Sequence, residues 1–124
     1  MSGSRGAVLI VGSNRRNQDI LFNFITSLGY AVSRADSLED LDAALTTGCQ
    51  SGFALVDITG FDRAIWERCT RLNADDIPLL VISPRQSSEV TKLGIAHGAQ
   101  SVLAKPLVMR ELADTIRGFM KESE

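Results

Sequence analysis

Phe53-Ala54-Leu55-Val56-Asp57 is the stretch whose reading decides the fold. Four apolar side chains run without interruption into one carboxylate, and Ile58-Thr59-Gly60 follows as a turn. A short, unbroken apolar run bounded by turn residues reads as a strand buried on both faces, because a strand with one wet face would alternate. Asp57, closing that strand, falls where a buried sheet meets solvent. In open α/β sheets that edge is where ligands and chemistry collect. An aspartate in this place also suits the capping of the following turn.

Working outward, two runs match the first in kind: Ala7-Val8-Leu9-Ile10-Val11, and Pro78 through Ser83 with its proline at the tolerated first position. Ser101-Val102-Leu103-Ala104 is a shorter strand, and the more polar Tyr30 to Ala35 suits a sheet edge. Helical spacing fills the gaps between them. The first helix follows Gly12-Ser13-Asn14 and buries Leu21, Phe24, Ile25 and Leu28, with Gly29 at its end. The second is capped by Ser37 and runs to about Thr46 on the stripe Leu38, Leu41 and Leu45, with Gly48 as its stop. The third is predicted from Asp62 to Leu72, burying Ile65, Trp66 and Cys69 or Leu72, before a loop over Asn73 to Asp76. Pro84 ends the fourth strand, Ser87 caps a helix to about His97, and a last helix runs from Val108 to about Lys121 over Leu112, Ile116 and Phe119.

Five strands alternating with five helices predict a parallel sheet covered on both faces. Right-handed crossovers leave two common arrangements, the flavodoxin-like order 2-1-3-4-5 and half of a dinucleotide fold. No glycine fingerprint or P-loop follows the first strand, so the five-stranded fold is the expectation. The 124 residues suit a single domain, residues 1–6 reading as a loose leader through Gly3, Ser4 and Gly6. A hydrophobic content of 44% with 23% charged residues is that of a soluble globular chain. A net charge of −2 offers no basic footprint for nucleic acid, and no apolar run has the length of a membrane span. Cys49 and Cys69 lack metal-ligand spacing and read as small packing residues in a reducing, cytoplasmic setting.

In that topology the ends of strands one, three, four and five lie side by side. They carry Gly12-Ser13-Asn14, Asp57, Ser83 and Lys105. A carboxylate, a hydroxyl and an ammonium at one edge suit an anionic group, with Asp57 as acceptor and Ser83 and Lys105 holding oxygens. Each also has an ordinary reading: Ser83 as a turn former, Lys105 as a solvated strand end, Asp57 as the ion-pair partner of Lys105.

From about Ala7 to Lys121 the chain resembles the receiver (CheY-like) domain of two-component response regulators. The resemblance rests on Asp57, on the strand ending at Ser83, on His97-Gly98-Ala99 and on Ala104-Lys105-Pro106. It implies that Asp57 is the phosphoacceptor, Ser83 the hydroxyl that follows the phosphoryl group, and Lys105 its cationic partner. It also marks departures. Receivers usually close strand one with two acidic residues that bind Mg²⁺ together with the acceptor, and here those positions are Gly12 and Ser13, then Asn14. The loop after the acceptor is a shortened Thr59-Gly60-Phe61-Asp62, the usual switch aromatic is Val102, and Pro84 follows Ser83.

Magnesium is a hard cation held through carboxylates and water, and phosphoryl transfer leans on it to neutralise developing charge. With Asp57 the one carboxylate left, Mg²⁺ binding is expected to be weak or absent, and Asp57 is expected to pair with Lys105. Asp62, Asp75 and Asp76 belong to later loops and do not fill the gap. The leading expectation is an atypical receiver, not an enzyme, acting independently of phosphorylation as an interaction or dimerisation module in signalling or transcriptional control. Its partner face would be the fourth helix, fifth strand and fifth helix, through Lys92, Ile95, Val102, Arg110 and Asp114. A longer regulator with an output domain and a stand-alone chain both remain open. One alternative is a weakly reactive acceptor phosphorylated on Asp57 by a histidine kinase. Another is phosphate or nucleotide binding at the first helix N-terminus with Arg15 and Arg16, against which stands plain N-capping by Ser13 or Asn14. No direct nucleic-acid or membrane contact is expected of this domain.

Overall fold

The computed structural model describes residues 7–47 and 51–122. The expected leader, the stop at Gly48 and Cys49 lie outside the described residues. Ten elements alternate: β1 (Ala7–Val11), α1 (Arg15–Ser27), β2 (Ala31–Ala35), α2 (Leu38–Thr46), β3 (Phe53–Asp57), α3 (Ala64–Ala74), β4 (Leu79–Ser83), α4 (Ser88–Ala96), β5 (Ser101–Ala104) and α5 (Met109–Glu122). The strands form one parallel sheet in the order β2-β1-β3-β4-β5, the expected flavodoxin-like topology.

The unbroken apolar runs are explained by two cores, one on each face of the sheet. Side chains alternate across a strand, so Val8, Ile10, Phe53, Leu55, Leu80 and Ile82 meet α1 and α5. Leu9, Val11, Ala54, Val56, Leu79 and Val81 meet α2 and α3 on the other face. β2 is the polar edge, where only Ala35 is buried. Cys69 is buried in the second of these cores, and burial pushes its thiol up to about 12, so it serves as a small apolar filler.

Several boundaries shift. α3 starts at Ala64 and runs through Ala74, both ends falling later than the expected Asp62 and Leu72. Asp62 stays outside it, its Oδ1 accepting from Ala64 N at 2.9 Å, an aspartate turn that delays the helix. On α1, Leu21 and Ile25 are buried as expected, while Phe24 and Leu28 are half-buried and Gln18 takes the third buried place. His97, expected at the end of the fourth helix, caps α4 and also has a partner: its Nδ1 lies 2.8 Å from Thr70 Oγ1, and its ring stacks on Trp66.

Arg68 of α3 grips Asp42 of α2 in a fork, with Nε to Oδ1 at 3.0 Å and Nη2 to Oδ2 at 2.8 Å. The hydrogen bond from Arg68 holds the Asp42 carboxyl below its ordinary range. A carboxyl depressed in the folded state adds stability above its unfolded value and loses it as pH falls through the folded one. Urea midpoints of Arg68→Gln and the unaltered protein should therefore differ most at neutral pH and converge below about pH 4. A gap that stays constant on acidification would assign the effect of Arg68 to packing alone.

Candidate functional site

The register that aligns Asp57 with Ile82 and Ser83 with Ala104 brings the carboxyl ends of β3, β4 and β5 to one edge, with Lys105 directly after β5. Asp57 is buried, its side chain 7% exposed, at the foot of this edge. Its Oδ2 lies 2.8 Å from Lys105 Nζ, and its Oδ1 accepts from Thr59 N at 3.0 Å. The ion pair and the turn-capping readings of Asp57 thus hold together.

Thr59 is the residue that sequence reasoning passed over. Besides its N–H bond to Asp57, its Oγ1 accepts from Lys105 Nζ at 3.3 Å, and its carbonyl accepts from Ser13 Oγ at 2.8 Å. One residue thereby joins the ends of β1, β3 and β5. A signal was present in a threonine two places after a strand-end aspartate, the spacing of an Asx turn. Gly60 follows with φ +86°, and a Cβ there would strike Ser13 Oγ, so the loop closes onto Ser13 only because position 60 is glycine.

Ser83 is buried at the end of β4, but its hydroxyl does not join Asp57 and Lys105. It donates to Arg85 O at 2.6 Å and accepts from Arg85 N at 3.4 Å, turned into the loop that begins with exposed Pro84. The expected meeting of three groups is therefore corrected to a pair with Thr59 as the bridge. Val102, without an aromatic ring, is half-buried and packs against the core on the α2 and α3 face. The peptide between Lys105 and Pro106 is cis.

At the end of β1, Gly12 N donates to Ala35 O at 3.1 Å. Asn14 is the N-cap of α1, its Oδ1 accepting from Asn17 N at 2.9 Å, while Arg15 and Arg16 are exposed. Of the two capping candidates, Asn14 takes the helix and Ser13 takes Thr59.

These residues do not fit a magnesium ion. Gly12 has no side chain, the Ser13 hydroxyl is committed to a carbonyl, and the one carboxylate already holds an ammonium whose charge opposes a dication. Among the described residues there is no group of three or more His, Cys, Asp and Glu side chains placed to hold a metal. Beside the pair, a cavity of about 480 Å³ is walled mainly by Ile20, Leu21, Pro106, Leu107 and Met109.

No family model matches the chain. Among curated proteins it is similar to response regulator MprA of Mycobacterium avium (strain 104), 27% identical over 118 residues. The match takes in 94% of this chain and 52% of that one, so the chain spans about half the length of the curated relatives it matches. Among solved structures, a two-component response regulator from Clostridium difficile superposes with a TM-score of 0.85 at 17% identity, covering 95% of this chain and 98% of its own. A putative pilus assembly-related protein from Burkholderia pseudomallei K96243 gives 0.78 at 17% identity, covering 98% of this chain and 94% of its own. At such identities the likeness concerns the fold, and one fold hosts many functions. With a 2-1-3-4-5 sheet, an aspartate and a lysine at the ends of its third and fifth strands, and response regulators among the curated proteins it is similar to, this chain has the receiver (CheY-like) fold and resembles the two-component response regulators.

Proposed function

We propose that this domain works in two-component-type signalling or transcriptional control without being phosphorylated, as a protein-interaction or dimerisation module. The observation that carries the reading is the Asp57–Lys105 contact of 2.8 Å, closed over by Thr59. An acceptor carboxylate must present a free oxygen to the incoming phosphorus, with positive charge placed to neutralise the oxygens in flight. Here one Asp57 oxygen holds the lysine and the other holds a backbone N–H. One carboxylate against one ammonium balances the pocket, so its resting state calls for no added cation.

The face available to a partner comprises α4, β5 and α5. Lys92, Ile95, Arg110 and Asp114 are exposed on it and Val102 is half-buried. Ile95, 51% exposed, is one apolar element of it. A histidine kinase, or an output domain in a longer regulator, belongs to this reading as a partner class, as does a cytoplasmic setting. No catalysis by the domain itself and no direct nucleic-acid or membrane contact is part of it.

A second reading, weak phosphoacceptance on Asp57, draws on the fact that Asp57, Ser83 and Lys105 do share one sheet edge. Intact-mass analysis after incubation with acetyl phosphate and Mg²⁺ separates the two. We expect no phosphoryl-sized gain under conditions that label an ordinary receiver. A gain that vanishes in Asp57→Ala would replace the first reading with the second. Phosphate or nucleotide binding at α1 has less behind it, since Asn14 already serves the first turn.

A further inference from the structure

Gln18 stands on the buried stripe of α1 with Leu21 and Ile25, yet it is an amide among hydrocarbons and is 1% exposed. A buried amide persists only where its polar atoms find partners. Its Nε2 lies 3.2 Å from Ile10 O, 3.4 Å from Ala35 O and 3.0 Å from Asp36 Oδ1. One side chain thus ties the ends of β1 and β2 to the loop after β2, directly behind Gly12.

A Cβ built at position 12 would lie 2.8 Å from Gln18 Oε1 and 3.1 Å from its Cδ. The far end of a long side chain ordinarily swings aside at little cost. This one is held by acceptors on β1, on β2 and on Asp36, so moving it takes a buried amide away from its partners, which is expensive. The same bond from Gln18 is also the main cause that keeps the Asp36 carboxyl below its ordinary range.

We infer that Gln18 is a positioning residue that occupies the space of a side chain at position 12, so that positions 12 and 18 act as one unit keeping the pocket free of a divalent cation. This deepens the reading of a metal-independent pocket. Loss of the acid at position 12 is then not a single change that one reversion undoes. Returning a carboxylate to position 12 while Gln18 remains meets an occupied space.

The test compares the unaltered protein, Gly12→Asp/Ser13→Asp, and the same pair combined with Gln18→Ala, by thermal shift in millimolar MgCl₂. We expect no Mg²⁺-dependent shift in the first two. In the triple variant we expect a shift with an apparent affinity at least about tenfold tighter than in the double. Equal affinity in double and triple, or no binding in the triple, overturns the role of Gln18. Stabilisation of the unaltered protein by Mg²⁺ would instead overturn the metal-independent reading of the pocket. Should the triple fail to fold, urea denaturation of Gly12→Ala, Gln18→Ala and their combination reads the contact without any metal. Gly12→Ala is expected to be destabilising while Gln18 is present and clearly less so in the Gln18→Ala background; strictly additive losses would overturn the inference.

Discussion

Phe53→Ala is expected to lower unfolding free energy by about 3–5 kcal/mol. Phe53 opens β3, is fully buried, and stacks on Phe119 of α5 with ring centroids 4.6 Å apart and planes 17° from parallel. Truncation loses the transfer of a large ring from water, loses the stacked contact, and leaves a void between the sheet and α5 that rigid strands cannot close. Position 53 is at the far end of β3 from Asp57, so the loss should leave the pocket's own chemistry untouched. Urea denaturation should show a lower midpoint at an unchanged slope. A loss below about 1.5 kcal/mol would mean that α5 settles into the void and that the packing of this face is softer than the stack implies.

Lys105→Ala is the second large effect, expected to cost about 2–3 kcal/mol. Breaking a buried ion pair from one side strands the remaining charge, and Asp57, at 7% exposure, cannot turn to water. Lys105 is itself 26% exposed, which places the expected loss below that of a wholly buried pair. The lysine also donates to Thr59 Oγ1, so its removal loosens the loop held by Ser13. Asp57→Asn should cost less, since an amide oxygen still accepts from Thr59 N and the ammonium left behind, 26% exposed, can reach water. The double variant Asp57→Asn/Lys105→Ala should recover part of the Lys105→Ala loss. Additive losses in that cycle would show that the 2.8 Å contact carries no net coupling and would remove the basis for a locked pocket.

The fold was legible because burial on both faces writes itself as continuous apolar runs, and here β1, β3 and β4 are such runs. Helix starts were legible where a short polar side chain stands in a cap, as Ser37 and Ser87 do for α2 and α4. The start of α3 was not, because Asp62 caps a turn outside the helix and Arg63 offers no capping bond. At the site, Asp57 and Lys105 were legible as strand-end residues. Thr59 and Gln18 were not, since their meaning lies in partners 46 and 8 or more residues away.

The sequence by itself determined the alternation of elements, the parallel sheet with its order, the edge that carries Asp57, Ser83 and Lys105, and the missing acids at positions 12 and 13. The elements and their arrangement follow from local periodicity, turn chemistry and the handedness of crossovers, which neighbouring residues specify, while the missing acids follow from the resemblance to receivers. Only the tertiary structure decided that Ser83 turns to Arg85, that Thr59 bridges three strand ends, and that Gln18 fills the room beside Gly12. The physical reason is that hydroxyls and amides have several partners of similar strength within reach. Which one they take is set by angles and distances that appear only once strands far apart in sequence lie side by side.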